Sequence, residues 1–309
     1  MKILITGIAG YIGSELINHL LMAGHKITGI DNLLYEKTSL LSYITDPNFT
    51  FINGDVRDDK LLSEQTSCHD IIIPLAALVG ANLCDKNPVD AELVNFGHIK
   101  TICDIKSKDQ RIIFPNTNSG YSGLSIDDVI TEEYPLKPTS IYGSTKCRAE
   151  NEIKQGINWT TLRLATVFGS SRRPRFDLLV NNLVLRAMKD KMIVLFENKA
   201  MRNYIHIQDI CAALIHIINN QDPTLNQTFN VGNDQLNCSK LDLTKQIQKI
   251  IPLEIIQAEY TKDPDKRDYK VSSEKFYKTG FVCKHSLEDG IKQLKKTIEL
   301  IDVPVNGNY

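Results

Sequence analysis

Near the N-terminus an apolar run, Lys-Ile-Leu-Ile-Thr, leads straight into Gly7-Ile-Ala-Gly10-Tyr11-Ile12-Gly13 and then into an amphipathic segment from Ser14. No other stretch constrains the fold as strongly. Glycines at this spacing let the backbone turn tightly, approach a diphosphate and pack the next helix on the sheet, while the helix N-terminus offers N–H groups to phosphate oxygens. A bare glycine triplet carries little weight. Here a predicted strand precedes it, a helix follows it, and Asp31 closes the next apolar run about 20 residues on, which is the setting of a dinucleotide cradle. A carboxylate at that place accepts hydrogen bonds from the adenosine ribose diol and repels a 2′-phosphate, so Asp31 favours NAD over NADP. Neither Asn32 nor Leu33 adds a cation that would reverse the preference. Gly7, Gly10, Tyr11, Ile12, Gly13, Asp31 and Asn32 are thus expected at the cofactor.

The alternation continues down the chain. HKITGID, FTFING, DIIIPLA, RIIFP and NWTTLRLA read as strands, and the segments through about Ala23, from about Pro88 to Ile105 and from Ile141 read as helices. Because each parallel strand pair needs a right-handed helical crossover, the pattern predicts an α/β fold: a Rossmann-type doubly wound parallel sheet over residues 1–165. After Thr166 the regularity breaks into an Arg- and Pro-bearing loop, SSRRPRFD, a helix from about Phe176 to Lys189, and short strands among helices. Residues 166–309 are expected to form mainly a smaller C-terminal α/β lobe for substrate. Ile205 to Ile218 and Gln227 to Val231 are candidates to return strands to the main sheet. No internal repeat is present, and the terminal VPVNGNY is expected to fray.

Composition narrows the function classes. A chain of 309 residues, 42% hydrophobic and 24% charged, can bury a large core without disulfide or metal staples. Thirty-six Lys and Arg against thirty-seven Asp and Glu give a net charge of -1, no field for a nucleic acid or an anionic membrane. The longest apolar stretch, Ile71 to Leu83, is broken by Pro74 and Gly80 and falls short of the roughly 20 residues of a bilayer span, so it reads as a buried strand and its exit loop. No charged leader with a cleavable apolar block opens the chain, and the seven cysteines, without a C-x-x-C pair, read as small buried hydrophobes; a cytoplasmic location is expected. The seven histidines show no ligand-like spacing, and no metal is expected.

Tyr142 and Lys146 stand four apart on the helix from Ile141, hence on one face. A phenol with an ordinary pKa of about 10 is a poor base at neutral pH, and a nearby ammonium favours the phenolate. Tyr142 could then accept a proton from a substrate hydroxyl while hydride leaves the same carbon for a nicotinamide.

The set GIAGYIG, Asp31, GDVRD, LAAL, the Tyr142/Lys146 pair, YIHIQDI, NVGND and RDYKVSSEKF resembles the extended short-chain dehydrogenase/reductase family, in its nucleotide-sugar epimerase and dehydratase branch. The similarity runs over nearly the whole chain. It implies that Thr117 shares the reacting hydroxyl's proton with Tyr142, that Asp55 and Val56 contact adenine, and that Leu75, Ala76 and Ala77 lie along the cofactor. It further implies that Asn95 is a cofactor-binding residue bracing the region beside the fourth strand and the cofactor, and that Asn182, Leu183, Arg202 and Tyr269 hold a nucleoside diphosphate. Arg202 suits a phosphate, being a fixed cationic fork. A homodimer is implied as well, through a four-helix bundle made by the segments Pro88 to Ile105 and Ile141 to Lys154.

Departures from the branch sharpen the reaction. Its dehydratases follow the threonine with Asp-Glu; here Asn118 and Ser119 stand at those substrate-facing positions, and neither side chain is an acid or base at neutral pH. Ser119 also lacks the acidity of the cysteine that 3,5-epimerising relatives use. Thr166 replaces a substrate-facing asparagine, and Val79 replaces a lysine of UDP-galactose 4-epimerase. What remains is NAD-dependent oxidation at C4 of a nucleotide sugar, which the resemblance implies without any additional catalytic side chain: a 4-dehydrogenase of bacterial surface polysaccharide synthesis, acting on a GDP-sugar such as a GDP-heptose, or a 4-epimerase that keeps its NAD. A dinucleotide sensor without chemistry is the alternative from another class, and the retained Tyr142 and Lys146 weigh against it.

Overall fold

A computed structural model describes residues 1–35, 37–122, 129–258 and 268–301; the terminal VPVNGNY lies outside them. The first half alternates β1 (Lys2–Thr6), α1 (Gly13–Met22), β2 (Lys26–Asp31), β3 (Phe49–Asn53), α2 (Asp59–Thr66), β4 (Ile71–Pro74), α3 (Ala81–Lys86), α4 (Pro88–Glu92), α5 (His98–Ile105) and β5 (Arg111–Thr117). Then come β6 (Val129–Ile130), α6 (Ile141–Ile153), β7 (Trp159–Leu164), β8 (Thr166–Phe168), α7 (Leu179–Lys189), β9 (Met192–Phe196), β10 (Met201–His206) and α8 (Ile207–Asn219). The chain continues through β11 (Gln227–Val231), β12 (Asn233–Ser239), α9 (Lys240–Gln248), β13 (Glu254–Ala258), β14 (Lys270–Val271), α10 (Glu274–Tyr277) and α11 (Leu287–Leu300).

Seven parallel strands make the main sheet in the order β11-β7-β5-β4-β1-β2-β3, a Rossmann-type doubly wound arrangement. Side chains on a strand alternate between faces, and β1 shows it: Ile3 and Ile5 join the core under α1 and α8, while Leu4 joins the core under α5 and α6. The order reverses between β1 and β4, and at such a switch point the carboxyl ends of the strands leave a crevice for a ligand.

The last strand, β11, comes back from the far half of the chain to pair with β7 along Gln227–Val231. Buried Arg111 fastens this return, donating to Thr160 Oγ1 at 2.8 Å, Thr224 Oγ1 at 2.7 Å and the Ile217 carbonyl at 3.2 Å. Ile205 to Ile218, in contrast, returns no strand to the main sheet. Ile205 belongs to β10, in the sheet β12-β10-β8, and from Ile207 the chain is helical. The physical reason is its period: Ile207, Ile210, Cys211, Leu214, Ile217 and Ile218 are all buried, a three-four spacing that lays one helical face on the sheet.

The second lobe has its own core, in which Val180, Leu183 and Val184 of α7 meet Leu243 and Ile247 of α9 and Ile291 and Leu294 of α11. Its helix α7 starts at Leu179, three residues later than Phe176. One cysteine departs from expectation: Cys68, just past the end of α2, is exposed, because α2 buries only Leu62 and Thr66 and the turn after it faces solvent.

Candidate active site

The crevice at the switch point is a cavity of about 760 Å³. Gly7, Gly10, Tyr11, Ile12 and Gly13 form part of its wall. Gly7 has φ +73°, and a Cβ there would stand 2.6 Å from the Ala76 nitrogen; a Cβ on Gly13 would stand 2.6 Å from the Ile8 carbonyl oxygen. The loop is therefore closed to any side chain at those two places. No side chain caps α1 at Ile12, so its first turn faces the cavity as bare backbone.

Asp31 sits at the end of β2, its Oδ2 accepting from the Ala9 N–H at 3.0 Å and its Oδ1 from the Leu33 N–H at 2.8 Å. Burial raises its pKa, and those two N–H groups and the charge of Arg173 oppose the rise. Asn32 donates to Asp55 Oδ2 at 3.1 Å, and Arg57 grips both Asp55 oxygens at 2.8 and 2.7 Å. Those bonds hold the Asp55 carboxyl well below the usual carboxylate range. Val56, Leu75, Ala76 and Ala77 complete this side.

Thr117, at the end of β5, and Tyr142 and Lys146, on α6, face the same cavity. Ser140 caps α6 by accepting from the Gly143 N–H at 3.1 Å, which starts the helix so that Tyr142 falls in its first turn and Lys146 in the next. The Lys146 ammonium donates to the Pro115 carbonyl at 3.0 Å and lies 4.0 Å from the Phe114 ring centroid. Burial draws its pKa down to about 7, partly countered by Cys147 and Glu150. Thr117 donates its hydroxyl to Ser119 Oγ at 2.9 Å and accepts from the Ser119 N–H at 3.1 Å. Asn118 is 2% exposed, lines the cavity, and leaves its Oδ1 without a hydrogen-bond partner.

From the second lobe, Thr166, Asn182 and Arg202 also reach the cavity. Three sequence-derived positions do not. Asn95 lies in a π-helical turn between α4 and α5 and exchanges two hydrogen bonds with Leu78, accepting from its N–H at 2.8 Å and donating to its carbonyl at 3.0 Å; it braces the cavity wall from behind. Tyr269 is buried and donates to the Asn118 carbonyl at 2.9 Å. Leu183 turns its side chain into the lobe core.

The structure adds wall residues that the sequence reading left as loop: Tyr35, Arg173, Arg175 and Asp177. Arg175 and Asp177 form a buried ion pair. The signal was present, three arginines within four residues, but nothing local says which surface such a loop covers.

The family model of the NAD dependent epimerase/dehydratase family matches residues 3–232, and the chain belongs to that family. NAD is accordingly its cofactor, and the closed glycine turn and Asp31 fit it. Among curated proteins the chain is similar to the low-salt glycan biosynthesis protein Agl12 of Haloferax volcanii, 26% identical over 308 residues, covering 94% of this chain and 96% of that protein. Two solved structures share the fold. One is UDP-glucuronic acid 4-epimerase from Bacillus cereus in complex with UDP-glucuronic acid and NAD, with TM-score 0.85, 23% identity, and 97% of this chain and 99% of that one covered. The other is dTDP-glucose 4,6-dehydratase from Bacillus anthracis in complex with NAD, with TM-score 0.83, 22% identity, and 98% and 97% covered. Among the described residues no helix is long and apolar enough to cross a membrane.

Proposed function

We propose that the protein oxidises C4 of the sugar in a nucleoside diphosphate sugar to a 4-keto sugar. The observation that carries this reading is one shared cavity wall: Thr117, Tyr142 and Lys146 line the same space as the glycine turn and Arg202. Bound NAD supplies the hydride acceptor. Tyr142 takes the C4 hydroxyl proton, with Thr117 as the hydrogen-bonding intermediary, and the Lys146 charge favours the phenolate. Arg202, Asn182 and Thr166 hold the diphosphate end of the substrate, Asn118 and Ser119 face the sugar, and Tyr269 acts through the Asn118 carbonyl it holds. With an amide and a hydroxyl where water elimination needs an acid and a base, dehydration is disfavoured.

Two net outcomes share this step. Release of keto sugar and NADH makes the protein a 4-dehydrogenase, the outcome expected from the sequence. Return of the hydride to the other face of C4 makes it a 4-epimerase that keeps its NAD. The similarity to a glycan biosynthesis protein supports a place in glycan assembly, with a GDP-sugar among the substrates to try first. Purified protein would be incubated with NAD and a panel of UDP-, GDP-, CDP- and dTDP-sugars, following NADH absorbance and sugar configuration by NMR. Net NADH with a 4-keto product marks the dehydrogenase, an inverted sugar without net NADH marks the epimerase, and no turnover of any nucleotide sugar overturns the proposal. A homodimer through α4 to α6 is part of the same reading; Val89 and Leu93 are exposed there at 69% and 45%, and light scattering tests it.

A further inference from the structure

The face of α6 that carries Tyr142 and Lys146 continues one turn further to Glu150, because helical residues four apart share a face. Glu150 is fully buried, a place where a carboxylate persists only with partners. It has them on two strands of the main sheet. Buried Arg163 of β7 donates to Glu150 Oε1 at 2.6 Å, and Asn116 of β5 donates its amide to Oε2 at 2.6 Å. Lys154, one turn further along α6, stands 3.8 Å away. Arg163 also donates to the Tyr121 hydroxyl at 2.6 Å and the Glu132 carbonyl at 3.1 Å, and Tyr121 donates in turn to Asn230 Oδ1 of β11 at 2.9 Å. Asn116 is where this network meets the chemistry. On one side of it is Pro115, whose carbonyl holds the Lys146 ammonium, and on the other is Thr117.

The other groups around Lys146 carry little charge. On β5 it meets the Pro115 carbonyl and the Phe114 ring. On α5, buried His98 is kept neutral, its pKa drawn down to about 3 by burial and by the Lys146 charge. On α6 itself Cys147 is a neutral thiol, pushed up to about 12 by burial. Burial weakens the hold of Lys146 on its proton, and Glu150 opposes that loss. The balance matters because Tyr142 and Lys146 titrate as a pair. A pair holding one proton has two arrangements, phenolate beside ammonium or phenol beside neutral amine, and only the first can take a proton from the C4 hydroxyl. Burial favours the uncharged arrangement, and a carboxylate one turn from the lysine favours the charged one.

We propose that Glu150 is a positioning residue for the catalytic pair: through Asn116 it fixes the strand end that presents Pro115 and Thr117, and its charge keeps the shared proton on Lys146, so that Tyr142 stands as the base. The inference rests on the reading that this site oxidises C4 of a nucleotide sugar and adds to it the origin of the base. Glu150 itself does not line the cavity. The phenolate takes the C4 hydroxyl proton as hydride leaves for NAD, and the lysine keeps its own proton throughout. Arg163 supplies the counter-charge that lets a carboxylate stay buried beneath the site.

The deciding measurement needs no substrate. Tyrosinate absorbance of the whole protein with bound NAD is titrated from about pH 5 to 9, with Tyr142→Phe as the baseline and thermal melts as the folding control. Wild type is expected to show a band that depends on Tyr142. Glu150→Gln should cut that band about tenfold at the alkaline end, the weight of one pKa unit in the lysine, while the two profiles converge at the acid end, where both lysines are charged. A residue that only held the fold would lower the curve evenly. Because glutamine leaves Arg163 buried without its counter-charge, Glu150→Gln/Arg163→Met removes the pair whole and should give the same profile. Glu150→Asp keeps the charge and should restore most of the wild-type curve. No Tyr142-dependent band in the wild type, or an undiminished band in either folded charge-free variant, would overturn the role of Glu150 while leaving C4 oxidation standing. With a nucleotide sugar that turns over, kcat should fall by the same factor while KM and NADH affinity stay within about twofold. Absence of turnover with every sugar sinks the C4 reading, whatever the absorbance shows.

Discussion

The two walls of the cavity are built by different means. On the N-terminal wall the glycine turn is contiguous and works through main chain, with Gly7 packed against the Ala76 backbone and α1 left without a side-chain cap. On the opposite wall Thr166, Asn182 and Arg202 come from three separate elements, β8, α7 and β10, and the proposed reading has them act through side chains. Backbone contacts suit what every dinucleotide has in common, while side chains can be exchanged without moving the backbone. On the proposed reading, dinucleotide binding is therefore the rigid part of the site and substrate choice the adjustable one.

The largest way to probe that contrast is at the chemistry between the walls. Tyr142→Phe should lower kcat by about 100- to 10,000-fold, the usual worth of a positioned acid–base group, with NADH binding by fluorescence retained. A non-catalytic sensor would keep its biological effect in the same variant. Next comes the rigid wall. Gly7→Ala places a Cβ 2.6 Å from the Ala76 nitrogen at φ +73°, so NAD affinity should fall at least about tenfold and unfolding free energy by about 1–3 kcal/mol, read by titration and denaturant melts. The adjustable wall should respond differently: Arg202→Gln is expected to raise KM for the nucleotide sugar about tenfold to a hundredfold while the NADH dissociation constant holds. Equal losses of both affinities in Arg202→Gln would erase the division between walls.

The smallest effect is on stability. Burial lowers the Lys146 pKa from 10.5 to about 7, so between those values the unfolded chain binds the extra proton and stability rises with pH. Lys146→Met abolishes that burden. Its melting temperature should exceed that of the wild type by about 2–4 °C at pH 6, and the gap should close as pH climbs towards 10.5. An unchanged gap from pH 6 to 10 would mean that the lysine stays charged in the folded state throughout, its pKa not lowered by burial. The same substitution is expected to cost most of the turnover, which makes Lys146 a residue kept for chemistry against stability.

Legibility followed the same division. The glycine turn, Asp31 and the Tyr142/Lys146 spacing are short-range patterns, and the strand-helix alternation is read directly from periods of two and 3.6. The placement of residues 169–177 against the glycine turn was invisible because it depends on Ser171 meeting Tyr11, residues 160 apart in sequence, and on Glu15 facing Arg172, 157 apart. Ile205 to Ile218 misled because β10 passes into α8 without a break, so a buried strand and a buried helix run together as one apolar stretch. Leu183 was drawn towards the ligand by its neighbour Asn182, but adjacent helical positions point in different directions, and only one of the two faces the cavity.

The pairing of β11 with β7 also fixes an order of events during synthesis. Until residue 231 has left the ribosome, β7 has an open edge along Thr160 to Leu164, and Arg111 lacks the Thr224 hydroxyl that it binds beneath that edge. A fragment cut at the apparent domain boundary would keep the glycine turn and both α6 side chains, yet expose a fully buried strand to any neighbour able to add to it. Excising the dinucleotide half alone is therefore a recipe for aggregation, and a soluble minimal unit must run through β11.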